Sequence, residues 1–503
     1  MLEPLKIPFF CAGIFGNFNF LIKKFCQDAF NPRKLLMIVG KARNEEYCFL
    51  LLGLLMNKNI NSLSSKTSYG MNGTCIIAGD KSISHRALMF SSIAEGTTQI
   101  TGLLKSEDVY STLKALRELG VNILIQDQNV VRVSGVGMHG LQSPKNFLDL
   151  GNSGTGVRLL MGLVGSQQIT ATFIGDESLS KRPMRRITKP LTKMGVQIKD
   201  NGNGVLPITV SGRSNPLPLS YNSPVASAQI KSSILIAGLN ARGLTSVSEP
   251  TKSRDHTERL LSHFGVFVDG KTDVDGFYVA SLMGGAKLKA RDITIPRDIS
   301  SAAFLIVAAL ITKNSCISMP NIGINPQRIG LITTLQEMGG NIEITNVRTV
   351  GGEEIADIKV SSSSLKGVIV PTERAPSMID EYPILTIAAA TASGSTMMEN
   401  IGELRHKETD RIAVMAKGLR LAGVSVDEAD TSMCVHGLAG KKGFPNIKGG
   451  FRISSEHDHR IAMSFLTLGL ISENMIVVDG VSTIDTSFPD FVETMNRHGA
   501  HID

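Results

Sequence analysis

Six short stretches recur in order along this chain: ALRELGVNILI, PLTKMGVQI, LLSHFGVFV, TLQEMGGNIEI, GLRLAGVSV and MNRHGAHI. Each reads as a helix end, a glycine and a short strand. The glycines, Gly120, Gly195, Gly265, Gly339, Gly423 and Gly499, are separated by 75, 70, 74, 84 and 76 residues, and glycine in that place suits a helix C-terminus that needs positive φ. Upstream of each lies a helix of small residues: SHRALMFSSIAEG, SGTGVRLLMGLVG, SAQIKSSILIAGL, SSAAFLIVAALI, PILTIAAATASG and HRIAMSFLTLGL. A recurrence of this kind specifies stacked supersecondary units rather than one continuous sheet. The chain is therefore expected to fold as six α/β units.

In each unit the small-residue helix opens with polar residues. The first, AGDKSISHRALMFSSIAEG at 78–96, gathers Asp80, Lys81, Ser82, Ser84, His85 and Arg86 on the opening turns of an otherwise apolar run. A helix N-terminus carries unpaired N–H groups and the positive end of its dipole, so six such starts turned toward one cleft make a surface for anions. The pattern is not a Walker loop, because GxxxxGK[ST] is absent. An acidic small molecule is the expected ligand.

The formal charge of +7 would also suit a polyanion, but residues 1–70 hold nine Lys/Arg against four Asp/Glu, which leaves only about +2 on the repeats. That balance, with 5% aromatic residues and no Trp, argues against a nucleic-acid footprint. The cysteines, at 11, 26, 48, 75, 316 and 434, form no CxxC pair and no zinc spacing, and a reducing, cytoplasmic setting is expected. The histidines lack HExxH spacing, and Glu456-His457-Asp458-His459 adjoins Arg460, whose charge would repel a cation. Neither a metal nor a cofactor is expected. Residues 1–70 stand apart. YCFLLLGLLM, 47–56, is apolar for too few residues to span a bilayer, and no signal-peptide order of charge, apolar core and cleavage site is present. They are read as an extension outside the repeating fold, with no membrane association.

Nine motifs kept in order carry a resemblance. GDKSISHRA, LGNSGTGVR, GDESLSKRPM, SAQIKSS, SRDHTERLL, DEYPILTIAAA, ELRHKETDRI, DHRIAMSF and TSFPDF together resemble the 5-enolpyruvylshikimate-3-phosphate synthase family, from about residue 72 to the C-terminus. SAQIKS and SRDHTE are most similar to the bacterial branch called class II. The resemblance implies a two-domain inside-out α/β barrel of six βαβαββ repeats, three per domain. It places an N-terminal extension at 1–70, a discontinuous domain at 71–79 and 298–503, and a second domain at 80–297. It also implies transfer of the enolpyruvyl group of phosphoenolpyruvate to the 5-hydroxyl of shikimate 3-phosphate, with release of phosphate, by addition and elimination through a tetrahedral intermediate. This step belongs to the shikimate pathway toward chorismate and the aromatic amino acids.

By resemblance, Lys81, Gly154, Arg182, Gln229, Arg411 and Arg460 face phosphoenolpyruvate, and Lys81, Ser82, Arg86, Ser227, Ala228, Gln229, Asp380 and Lys407 face shikimate 3-phosphate. Both substrates carry phosphate and carboxylate, which asks for fixed cations, with Arg where a planar anion is gripped at two points. Asp380 is the expected base at the 5-hydroxyl, and Glu408 and Lys81 are both candidates for moving the proton at the methylene carbon, with His459 assisting. Taken singly, ELRHKETDRI would be a solvated helix face and DEYP a turn. Their shared position, at the polar start of a repeat helix or the loop facing it, makes them a site.

The sequence departs from the family pattern at Ala78, where Pro is usual, at Arg297, where Gly is usual, and at Thr486, where some members have Lys. If the Arg297 position needs positive φ, a side chain there is expected to cost about 1 kcal/mol or more. Gly154 stands where glyphosate-resistant class II members have Ala, which implies sensitivity to that herbicide. Three alternatives are distinguishable. The sister transferase acting on UDP-N-acetylglucosamine carries a Cys or Asp in a loop before its RP pair, and GDESLSKRPM has no Cys. A noncatalytic scaffold would have no reason to keep Lys81, Asp380, Glu408 and Arg411 together, and a nucleic-acid-binding repeat protein does not fit near-neutral repeats. With no oligomerisation motif, a monomer is expected.

Overall fold

Apolar side chains gather into two separate cores. One joins Met71, Cys75 and Ile77 to residues from Ile299 to Ile502, and the other runs from Ile83 to Ile295. The computed structural model describes residues 61–503 apart from 128–129, 441–444 and 446. Residues 1–60, with YCFLLLGLLM and the cysteines at 11, 26 and 48, lie outside the described residues. The chain passes from one core to the other twice, between Ile77 and Ile83 and between Ile295 and Ile299. The two passages run side by side. Gly79 and Arg297 form an antiparallel bridge, the Asp80 N–H donates to Pro296 O (2.8 Å), and the Asp298 N–H donates to Ala78 O (2.9 Å).

Six four-stranded sheets cover these cores, and all six share one order. A short first strand lies parallel to the second, and the remaining two follow antiparallel. In chain order one unit reads as strand Ser220–Asn222, helix Ala228–Gly238, strand Leu244–Glu249, helix His256–His263, then strands Asp269–Thr272 and Tyr278–Met283. This is βαβαββ. Three units borrow a strand from far along the chain. Ile293–Thr294 pairs with Glu95–Thr101, Asn72–Thr74 pairs with Cys316–Gly323, and Ser62–Lys66 lies between Ile476–Asp479 and His501–Ile502.

The last pairing corrects the expected extension boundary at 70. The final unit has only three strands of its own after Gly449, and Ser62–Lys66 supplies its fourth. The SLSSK sequence concealed this, because it lacks the β-branched run by which a strand is read.

The first helix of each unit lies inside. All thirteen residues of Ile299–Ile311 and all nine of Tyr382–Ala390 are buried, which only a helix apolar on every side can tolerate. The second helices are amphipathic, as in Glu107–Glu118, where Val109, Leu113 and Leu116 face inward. With about 1.5–3 kcal/mol from each large apolar side chain buried, the inner helices hold the sheets around them. Each second helix ends at one of the six recurring glycines, with φ between +84° and +111°. One residue on, an N–H reaches back to the last turn, as in Val121 to Leu116 O (3.1 Å) and Val266 to Leu261 O (2.8 Å). That 6→1 bond requires the left-handed residue that precedes it. Arg297 is not among the positive-φ residues, so the expected strain at the second passage is absent.

Candidate active site

The inner helices begin at one place. Lys81 and Ser82, Gly154 and Thr155, Ala228 and Gln229, Ser300, and His459 and Arg460 lie at the starts of five of them, and Asp380 precedes the sixth. All line one cleft of about 480 Å³. Side-chain caps fix four of the starts: Asp80 accepts from the Ile83 N–H (2.8 Å), Ser153 from Gly156 (3.1 Å), Asp298 from Ser300 (2.8 Å) and Asp458 from Arg460 (2.9 Å). Each cap satisfies an N–H that the first turn leaves open and holds the next residues toward the cleft.

The walls carry nine Lys/Arg against five Asp/Glu, an excess that favours a multiply charged anion. Lys81 Nζ is ion-paired to Asp108. Arg182 Nη1 lies 3.2 Å from Glu408 Oε1, and Arg411 Nη2 donates to Glu408 Oε2 (2.7 Å). Arg254 donates to Asp380 Oδ2 (2.5 Å), while Lys407 Nζ lies 3.4 Å and Arg411 Nη1 3.5 Å from Asp380 Oδ1. Arg460 donates to Asp380 O (3.0 Å) and lies 3.2 Å from Glu381. Arg411 is almost wholly buried and is held from behind by Asp458, whose Oδ2 accepts from its Nε at 2.7 Å. Two of these pairs, Arg182 with Glu408 and Arg254 with Asp380, join elements of one core to elements of the other.

These contacts set the charge states. Burial opposes ionisation of Asp380, but Lys407, Arg254, Arg460 and Arg411 outweigh it and hold the carboxyl well below its ordinary range. Glu408 is likewise buried and held well below it, by Arg411 and Arg182 first. His459 is driven well down by burial, then by Lys81 and Arg460, and is neutral. Burial pushes the Asp108 carboxyl up despite its pairing with Lys81.

Of the expected site residues, Lys81, Ser82, Gly154, Arg182, Ser227, Ala228, Gln229, Asp380, Lys407, Glu408, Arg411, His459 and Arg460 all line the cleft. Arg86 is not among the residues that line it. Its side chain is buried behind the wall, donating to Thr257 Oγ1 (2.7 Å), Ser232 Oγ (2.9 Å) and Ser82 O (3.0 Å), because a guanidinium one turn after Ser82 lies between helices rather than at a helix end. Thr486 turns its hydroxyl onto Thr483 O (2.7 Å), and Ser487 takes the place on the wall.

Sequence reasoning did not assign four further residues. Arg254 lies inside SRDHTERLL, and Arg158 stands one turn after Gly154, so both were within sight of a motif. Arg158 donates to Gln229 Oε1 (2.6 Å), and its guanidinium is lowered to about 9 by burial, then by Arg186 and Arg182. Arg158 Nε and Arg182 Nε are both buried without a hydrogen-bond partner, a donor set suited to an anion. Asp108 and Arg328 carried no sequence signal. Arg328 is buried and binds both passages, with Nη1 3.0 Å from Asp80 Oδ2 and Nη2 3.3 Å from Asp298 Oδ1.

A model of the EPSP synthase (3-phosphoshikimate 1-carboxyvinyltransferase) family matches residues 66–495. The 3-phosphoshikimate 1-carboxyvinyltransferase of Rhizobium johnstonii is 49% identical over 440 residues, covering 88% of this chain and 97% of the relative. That of Parvibaculum lavamentivorans is 50% identical over 444 residues, with the same coverage. Among solved structures, EPSP synthase from Acinetobacter baumannii superposes with a TM-score of 0.78 at 45% identity, covering 88% of this chain and 99% of the other.

Proposed function

The chain belongs to the EPSP synthase family, and from that premise we propose how its residues divide the work of the reaction. The enzyme transfers the enolpyruvyl group of phosphoenolpyruvate to shikimate 3-phosphate. In our reading Lys81, Gly154, Arg182, Gln229, Arg411 and Arg460 receive phosphoenolpyruvate, with Arg158 added to the set. Lys81, Ser82, Ser227, Ala228, Gln229, Asp380 and Lys407 receive shikimate 3-phosphate, with Arg254 added and Arg86 steadying Ser82 from behind. The two cores, 71–79 with 298–503 and 80–297, are the two domains, with 61–70 assigned to the first. The chain works as a monomer on small molecules, and no described helix is long and apolar enough to cross a membrane.

Asp380 carries the reading, because it alone on the sugar side is a carboxylate ringed by four cations. A carboxylate held so low is a poor base. The phosphate and carboxylate of the substrates engage the same cations, and each cation engaged returns part of the basicity of Asp380. Substrate binding thus activates the base in the complex where a proton must leave the 5-hydroxyl. At the methylene carbon, Lys81, whose Nζ lies on the cleft wall paired with Asp108, gives the proton and regains it. Glu408, held ionised between Arg182 and Arg411, stabilises positive charge as it develops. Addition forms the bond from the 5-oxygen to the enolpyruvyl carbon, and elimination expels phosphate among the arginines.

The test is phosphate release by the purified chain, with shikimate 3-phosphate and phosphoenolpyruvate omitted in turn. Release that needs both supports the reading, and release from phosphoenolpyruvate alone would refute it.

A further inference from the structure

On the outer face of one sheet three unlike donors converge. Strands Ser425–Ala429 and Ser432–Leu438 pair so that Asp427 lies opposite Cys434 and Ser425 opposite His436. Met433 and Val435 point into the core, so by the two-residue alternation of a strand Cys434 and His436 point out together, beside Asp427. A carboxylate oxygen of Asp427, Cys434 Sγ and an imidazole nitrogen of His436 all lie within 4.8 Å of one another. None of the three lines the substrate cleft. We infer that Asp427, Cys434 and His436 form a surface binding site for one divalent transition-metal ion of the zinc class.

The donor set is the first reason. One thiolate, one imidazole and one carboxylate match the borderline character of zinc, and three protein ligands leave a fourth tetrahedral position for water. The second reason is the support behind the histidine. His436 Nδ1 lies 2.8 Å from Ser395 Oγ on the neighbouring strand, while Nε2 lies 2.7 Å from Asp427 Oδ2. If Nδ1–H donates to Ser395, the Nε2 lone pair faces Asp427, and an outer hydrogen bond of this kind commonly orients a metal-binding imidazole.

The geometry requires little adjustment. Zinc bonds of about 2.0–2.3 Å put tetrahedral donors roughly 3.4–3.8 Å apart. The Asp427–His436 contact must open and the longer separations close by about 1 Å, which rotations of exposed side chains can supply.

The test is titration of the full chain, reduced and free of chelators, with cobalt(II) alone, followed by competition with zinc. One equivalent should develop a thiolate-to-cobalt charge-transfer absorption that zinc abolishes. The absorption should disappear in both Cys434→Ser and His436→Gln, persist in Cys316→Ser, and require about tenfold more cobalt in Ser395→Ala. All four positions lie on an outer sheet face, and thermal melts identify any variant that fails to fold. Absorption that survives Cys434→Ser arises from another cysteine and overturns the inference. So does an absorption that never forms, or one lost in Cys434→Ser yet unchanged in His436→Gln.

Discussion

The two halves of the molecule share a fold and differ in what they place at its helix starts. In 80–297 the inner helices open with Lys81 and Ser82, Gly154 and Thr155, and Ala228 and Gln229, which are donors and bare backbone. In 298–503 the equivalent places hold Ser300, Asp380 with Glu381, and His459 with Arg460, and Glu408 precedes the helix Arg411–Leu421, while an aspartate caps the first inner helix of both halves. The fold makes an anion-receptive end six times over. The side chains then divide the labour. Both halves line the cleft with cations; 80–297 adds mostly donors, while 298–503 adds the carboxylates Asp380 and Glu408, held ionised among arginines close to helix N-termini, where the dipole also favours negative charge. Repetition of a fold therefore fixes where chemistry can occur, and not which chemistry.

The largest expected effect comes from breaking that division on its acidic side. Asp380→Asn keeps the shape but cannot accept the hydroxyl proton, so turnover should fall on the order of 10²-fold or more. The Michaelis constant for shikimate 3-phosphate should move far less. Ser82→Ala, in 80–297, should do the reverse and raise that constant with a smaller loss of turnover. Steady-state kinetics of both variants check the contrast. Turnover of Asp380→Asn within a few-fold of the parent would mean that the base lies elsewhere.

A smaller effect is expected in 80–297, at Gly154. A Cβ built there would lie 3.1 Å from Arg182 Nη1 and 3.3 Å from Arg158 Nη1, close enough to displace either guanidinium slightly and to shorten the space beside them. Glyphosate, which is longer than phosphoenolpyruvate, should lose more from this than the substrate does. A methyl group in a tight pocket discriminates by about 1–3 kcal/mol, so Gly154→Ala should weaken inhibition roughly 10- to 100-fold while raising the phosphoenolpyruvate Michaelis constant less. Inhibition curves at fixed phosphoenolpyruvate decide it, and equal inhibition constants in the two proteins would remove Gly154 from the pocket wall.

What could be read from the sequence follows the same contrast. The six units were legible because the glycine after each second helix has a backbone reason to recur, and the small-residue helices have a packing reason. The helix-start residues were legible because motif and repeat position agreed. Asp108 and Arg328 were not, since each acts through a contact with a residue hundreds of positions away or on a different helix, and nothing local marks them. Ser62–Lys66 was missed because a strand inserted between two others needs little β-propensity of its own once its partners are in place. Arg86 sits in a strong motif, and only the packing of Ser232 and Thr257 against it shows that part of its guanidinium is engaged behind the wall. The Asp427, Cys434 and His436 cluster has no spacing signature, because cross-strand pairing creates it.

The smallest expected effect lies where the halves join, and it is one of stability. Asp80 and Asp298 each cap an inner helix at one of the two passages and share a single arginine, Arg328. One guanidinium can neutralise only one carboxylate. Burial opposes charge at Asp80, yet Arg328 and His256 prevail and lower it to about 2. Asp298 is raised from 3.8 to about 6 by burial, then by the charge of Asp80. A carboxyl whose folded value exceeds its unfolded one binds its proton more tightly when folded. Its contribution to stability is therefore full below the unfolded value and is lost as pH rises through about 6. Asp298→Asn keeps the acceptor for the Ser300 N–H and stays neutral at every pH. Its melting temperature relative to the parent should thus rise by roughly 2–4 °C for each kcal/mol recovered as pH increases from about 4 to about 7. Asp80→Asn should behave oppositely, being destabilised near neutrality and approaching the parent only in strong acid. Melting curves of the three proteins across that range provide the measurement. A constant offset between Asp298→Asn and the parent would show that Asp298 does not titrate there and that the two passages are held alike.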